Sequence, residues 1–177
     1  MQRISVFCGS RAGNDPHIIQ QAELLGSMLA EKGVELVYGG TNIGIMDILA
    51  NSVLDRGGSV EGVMPSLIEE KRIAHSRLTR LILVSSLEER KKKLIEDCDA
   101  IVVFPGSYGT MDELFSALVL KQLGKIDKPI VLLNIGGFYD PLLAQLDRMV
   151  SLGFMTERFR SHLQVVEDCR QLHYLWD

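Results

Sequence analysis

Residues 100–113 read AIVVF followed by PGSYGTMDE. The first five are a continuous apolar run, which suits a strand buried on both faces of a parallel sheet. Pro105-Gly106 ends the run, and residues 108–123 read as a helix. Gly106 and Gly109 let the backbone approach a ligand closely, and Thr110 adds a hydroxyl. The helix start adds free N–H groups and the positive end of a dipole, a combination that suits a phosphate. The stretch is neither GxxxxGK[ST] nor GxGxxG, so it is not a nucleoside-triphosphate P-loop or a dinucleotide fingerprint. The competing reading is a tight strand–helix turn whose glycines serve packing alone.

The same alternation runs outward from this segment. Strands are predicted at 3–8, 34–38 (VELVY), 59–64, 81–84, 129–133 (PIVLL) and 163–166. Helices are predicted from Pro16, capped by Asp15 and stopped at Gly33, and at 45–56, 87–98 and 140–152. A short helix is expected at 156–160, a final turn after Asp168, and irregular or partly helical chain at 65–79. In the first helix Ile18, Ala22, Leu25 and Leu29 share one buried face. In the 87–98 helix Leu87, Leu94 and Ile95 mark the apolar side. Strand–helix alternation throughout predicts one α/β domain over residues 1–177. Its architecture is Rossmann-like and doubly wound, a mostly parallel sheet with helices on both faces. Ligands then sit beyond the carboxyl ends of the strands, where chain order switches. That directs attention to the loops 9–14, 39–44, 105–110 and 134–138.

Composition narrows the function. With 19 Lys+Arg against 23 Asp+Glu the net charge is −4 and the pI near 5.6. Such a chain is not a general nucleic-acid or membrane-surface binder. Apolar residues at 46% and charged residues at 24% exclude disorder, and no apolar run approaches a membrane span. The start, MQRISVFCGS, does not read as a signal peptide. Cys8, Cys98 and Cys169 form neither a disulfide framework nor a zinc site, so a cytoplasmic protein with reduced thiols and no bound metal is expected.

The loop YGGTNIGIMD, residues 38–47, again places glycines (Gly39, Gly40, Gly44) between a strand and a helix. With Gly9 and Ser10 of the CGS loop, the three glycine loops point to one shared cleft. Glu113 is read on the first turn of its helix, where a carboxylate also suits the dipole. Arg90 and Lys91 lie in LEERKKK, which alone reads as a solvated face with Glu88–Lys92 and Glu89–Lys93 pairs. His75 reads as a loop or surface histidine, and Cys8 as core.

Together these segments resemble the Lonely Guy family of cytokinin riboside 5′-monophosphate phosphoribohydrolases, often mislabelled lysine decarboxylases. PGSYGTMDE fits that family's PGGxGTxxE but for one glycine, and GGTNIGIMD stands for its GGGxxGLMG. Leu87-Glu88-Glu89-Arg90-Lys91 is similar to its Arg-Lys segment, and the likeness continues through residues 122–143 and 153–155. The resemblance implies hydrolysis of the N-glycosidic bond of AMP or an N6-substituted AMP, giving base and ribose 5-phosphate. It implies Arg90 and Glu113 as the catalytic pair and no cofactor. Substrate would be bound by Gly9, Ser10, Gly39, Gly40, Gly44, Met46, Arg90, Lys91, Gly106, Ser107, Tyr108, Gly109, Thr110 and Asp112. It also implies a homodimer joined by the helices beside the site.

The chain departs from the pattern at Thr41 and Ser107, each in place of a glycine, at Arg72, where relatives carry an acid, and at residues 119–124, Val119 onward, where they read TWAQLG. These departures keep a second reading open, a non-catalytic nucleotide or molybdenum-cofactor carrier of the same superfamily. A decarboxylase is set aside, because no motif for a pyridoxal-phosphate lysine is present.

Overall fold

The computed structural model describes residues 2–69 and 73–176, so Arg72 lies outside the described residues. The chain order is β1 (Arg3–Phe7), α1 (Pro16–Glu31), β2 (Glu35–Tyr38), α2 (Gly44–Leu54), β3 (Val60–Pro65), the single turn α3 (Ser66–Glu69), β4 (Arg80–Val84), α4 (Leu87–Glu96), β5 (Ala100–Val103), α5 (Tyr108–Gln122), β6 (Ile130–Leu133), α6 (Asp140–Ser151), α7 (Glu157–Arg160) and β7 (Leu163–Val166). Turns of 3-10 helix follow at Ile135–Gly137 and Cys169–Leu175. The strands form one sheet in the order β4-β3-β2-β1-β5-β6-β7. Every pairing is parallel, where the sequence predicted mostly parallel.

Strand side chains alternate between two cores. Ile4, Val6, Leu36, Tyr38, Ala100 and Val102 pack under α1 and α2. Phe7, Val37, Ile101, Val103, Ile130 and Leu132 pack under α4, α5 and α6. All four residues of β5 are buried, which is why residues 100–103 carry no alternation of polarity.

Asp15 caps α1, its carboxylate accepting from the His17 N–H at 2.9 Å, with Pro16 opening the helix as predicted. The predicted face of α4 is only half right. Leu94 and Ile95 are buried, but Leu87, two turns earlier on the same side, is 54% exposed: the core on this face reaches only the later half of the helix. The predicted Glu88–Lys92 and Glu89–Lys93 pairs are absent among the described residues. Glu89 instead caps the helix start, accepting from the Ser85 backbone and hydroxyl at 2.8 Å each. Lys92 and Lys93 turn toward Glu96 and Asp97 in the last turn.

The last 3-10 turn is latched to α1 by one buried amide. Gln21 donates from Nε2 to Asp168 at 2.8 Å and accepts the Cys169 N–H on Oε1 at 2.8 Å. Gln21→Ala leaves a buried N–H unsatisfied. We expect it to lower stability by about 1–3 kcal/mol, measured by denaturant unfolding. Stability equal to the parent's would show that water replaces the latch.

Candidate active site

β1 lies where the chain order reverses, between β2 and β5, and the loops leaving these strands surround a cavity of about 240 Å³. The loop after β1 contributes Cys8, Gly9 and Ser10, and the loop after β2 contributes Gly39, Thr41 and Ile43. Met46 enters from α2, Pro65 from the end of β3, Arg90 from α4, and Ser107, Gly109, Thr110 and Glu113 from the start of α5. Residues separated by 107 positions in sequence thus line one space because their strands are parallel neighbours.

The charged centre is an ion pair. The Arg90 Nη1 donates to Glu113 Oε1 at 3.0 Å, and its Nε donates to the Val63 carbonyl, also at 3.0 Å. Both side chains are largely buried, at 17% and 9% exposure. Burial pushes the Glu113 carboxyl up to about 7 and outweighs the opposing pull of Arg90; Asp112 adds to the rise and Lys91 offsets it. Glu113 is the sixth residue of α5, not on its first turn as the sequence suggested. A favourable dipole at the helix end therefore does not explain it. One turn further along, it faces inward against Arg90. Arg90 is not on a solvated face either, since α4 turns it onto the end of β3. Lys91 and Asp112 pair beside it at 2.9 Å, outside the cavity lining.

At the cavity floor α5 begins after Ser107, whose side chain makes no capping bond. Ser10, Ser107 and Thr110 line the cavity beside this helix start, which offers groups that could hold an anion. Cys8 lines the wall as a neutral thiol. Burial and then Glu113 raise it well above the ordinary range, which favours the neutral thiol over the nucleophilic thiolate.

The remaining predicted site residues fall elsewhere, and their positions explain why glycine is present. Gly40 packs against Gly62, and a side chain on Gly44 would strike the Ser10–Arg11 backbone. A side chain on Gly106 would strike Thr110. Gly40 thus lets its loop pack on β3, Gly44 lets the start of α2 pack on the 10–11 backbone, and Gly106 lets the start of α5 pack against its own loop. Tyr108 projects into solvent at 92% exposure. Gly106, with Arg11 and Phe138, borders a second cavity of about 230 Å³ on the far side of Gly9 and Ser107. The 134–138 loop therefore faces that second cavity.

Sequence reasoning missed Val6, Ile43, Pro65 and Ile73 in the lining. Ile73 arrives through a short antiparallel bridge, Thr41 to Ala74. Backbone bonds of 2.9 Å from Asn42 N to Ile73 O and from His75 N to Gly40 O fix it there. His75 is buried, which corrects the surface reading. Its Nδ1 accepts the Arg77 N–H at 3.2 Å, so the neutral ring carries its proton on Nε2, 3.2 Å from Asn51 Oδ1. The histidine staples residues 73–77 to α2. The large apolar residue in a charged stretch, Ile73 in KRIAH, was the available signal.

Fold and cavity define the class: a doubly wound α/β protein with a ligand cavity at its topological switch, centred on an Arg–Glu pair. The model of the family described as "Possible lysine decarboxylase" matches residues 46–174. A probable cytokinin riboside 5′-monophosphate phosphoribohydrolase of Oryza sativa subsp. japonica is 42% identical over 170 residues, covering 96% of this chain and 72% of that protein. A cytokinin riboside 5′-monophosphate phosphoribohydrolase of Rhodococcoides fascians is 40% identical over 93% of this chain and 84% of its own. The chain belongs to this family, the Lonely Guy phosphoribohydrolases. Among solved structures, a molybdenum cofactor binding protein of Rippkaea orientalis superposes with a TM-score of 0.74 at 22% identity, covering 98% of this chain and 94% of that one. That likeness is one of fold.

Between the ordinary value of 4.5 and about 7, folded Glu113 holds a proton that the unfolded chain has released. Its contribution therefore favours the fold less as pH rises through that window. We expect the stability of the protein relative to Glu113→Gln to fall between about pH 4.5 and about pH 7, measured by denaturant unfolding. A difference that stays constant would mean that folding leaves the proton affinity of the carboxyl unchanged.

Proposed function

We propose that the protein hydrolyses the N-glycosidic bond of a purine nucleoside 5′-monophosphate, AMP or an N6-substituted AMP. The observation that carries this reading is the buried Arg90–Glu113 pair at 3.0 Å, set in the strand-end cavity beside an uncapped helix start. The 5′-phosphate lies at the start of α5, held by N–H groups and the hydroxyls of Ser10, Ser107 and Thr110. The C1′–N bond then lies toward Glu113. As it breaks, its electron pair leaves with the base and C1′ gains oxocarbenium character. The Glu113 carboxylate stabilises that charge and takes a proton from the attacking water, whose oxygen bonds to C1′. Arg90 stays protonated, so its role is to hold the nucleotide and stabilise the departing base. The departing base takes a proton from solvent and Glu113 gives to solvent the proton it took from the water, so the products are free base and ribose 5-phosphate.

Among the described residues no lysine lines the cavity, so nothing there offers a pyridoxal-phosphate amine. No helix among them is long and apolar enough to cross a membrane. We place the protein in the cytoplasm, where thiols stay reduced, in keeping with three free, buried cysteines. Its ligand is a small molecule; neither nucleic acid nor a membrane surface is expected to bind a chain of net charge −4.

We also propose a homodimer through the outer faces of α4 and α5. Val119 on α5 is 53% exposed and Phe154, which shares a groove with it, 85%, an apolar surface that calls for cover; Leu87 on α4 is 54% exposed. A groove of about 400 Å³ between α5 and α6 lies beside them.

Purified protein incubated with monophosphates, nucleosides and triphosphates tests the activity by released base and ribose 5-phosphate. AMP-type substrates should be cleaved and adenosine not; equal turnover of both would remove the phosphate-anchoring role of residues 105–110. Glu113→Gln should lower turnover by roughly 10²–10⁴ with much less change in calorimetric affinity, because the charge matters mainly in the transition state. Arg90→Ala should damage both. Tight binding without hydrolysis of any monophosphate would make the protein a carrier and not a hydrolase.

Sedimentation should show a dimer or a multiple of it at micromolar concentration, with Val119→Asp shifting it toward monomer. An active monomeric parent would contradict the interface.

A further inference from the structure

Arg90 can act on Glu113 only if its guanidinium is held still, and three contacts define where it lies. Two are the hydrogen bonds to the Val63 carbonyl and to Glu113, both 3.0 Å. The third is a void. A Cβ on Gly39 would collide with Arg90 Nη2, and would stand 3.4 Å from its Cζ and 2.9 Å from the Met46 sulfur. The backbone at Gly39 is not in the left-handed region, so its conformation does not call for glycine. Space does. Gly39 also directly follows fully buried Tyr38 at the end of β2, so its backbone has little freedom to retreat. The Met46 side chain is flexible and can move aside. The guanidinium, tied at both ends, cannot do so without releasing a hydrogen bond.

We propose that Gly39 is a positioning residue whose missing side chain forms the slot that holds the Arg90 guanidinium against Glu113. This replaces the phosphate-approach role that the glycine pattern suggested for this position. It rests on reading Arg90 and Glu113 as the working pair, and it predicts a specific fault. An alanine at 39 displaces Nη2, lengthens or breaks the Arg90–Glu113 contact, and leaves the carboxyl buried without its cation. Since Arg90 is the main influence holding the Glu113 proton affinity down, the carboxyl then keeps its proton to higher pH.

The test follows the Glu113 carboxyl by NMR titration of protein carrying ¹³C-labelled glutamate side chains, assigned with Glu113→Gln. In Gly39→Ala the midpoint should rise by about one pH unit, toward that of Arg90→Ala. In the Arg90→Ala background the slot is empty, so adding Gly39→Ala should change neither the titration nor the thermal midpoint. That comparison holds even where Gly39→Ala alone folds poorly, because removing the guanidinium should restore its fold. An unchanged Glu113 midpoint in Gly39→Ala would overturn the proposal, as would equal destabilisation with and without Arg90. Neither readout needs turnover. A protein that hydrolyses no monophosphate yet shows this coupling would overturn the proposed function and leave the slot intact.

Discussion

Seven parallel strands cannot be joined by hairpins, and the rest of the molecule follows from that restriction. Each strand must return over a face of the sheet, so both faces carry helices and each strand's carboxyl end opens into a loop on the same edge. The chain winds from β1 out to β4, then resumes at β5 on the other side of β1. Loops leaving β1 and β5 therefore diverge, and the cavity between them is a result of topology before any side chain is considered.

Within that space the ion pair reflects two opposed effects. Removing the Glu113 carboxylate from water favours its neutral form, and the Arg90 charge favours the ionised one. Burial wins by enough to bring the carboxyl near neutrality, the range in which a group can both take and release a proton. The surrounding scaffold holds Arg90 to one geometry through the Val63 carbonyl, and holds residues 73–77 through His75 and Asn51. A buried charge elsewhere is treated differently: Glu61 is clamped by Arg3 at 2.6 Å and also by Arg80, and that group ties β1, β3 and β4 together away from the cavity lining.

The glycines divide along similar lines. Pattern alone suggests that all of them approach a phosphate, and Gly40, Gly44 and Gly106 also serve close packing of their loops on β3, on the 10–11 backbone and on α5. Gly9 lines the cavity but is buried against Arg11, Pro105 and Gly106, whereas nothing stands within 4 Å of the place a Gly109 side chain would take. Loop-to-loop packing brings the walls close enough to bury Arg90 and Glu113, so the two roles depend on one another.

The sequence by itself determined the architecture. Apolar runs at 34–38, 100–104 and 129–133, the Asp15-Pro16 helix start and the strand–helix alternation are local signals, and short-range periodicity is what backbone geometry imposes on a chain. It also marked Arg90, Glu113 and the loops of the site, because the segments around them are short motifs that resemble a family. Tertiary structure alone decided which of those residues meet. The inward turn of Glu113, the slot at Gly39, the arrival of Ile73 and the burial of His75 all arise from contacts between segments far apart in sequence. Periodicity within one element carries no information about the neighbour against which that element packs, and proton affinity depends on that neighbour through burial and charge.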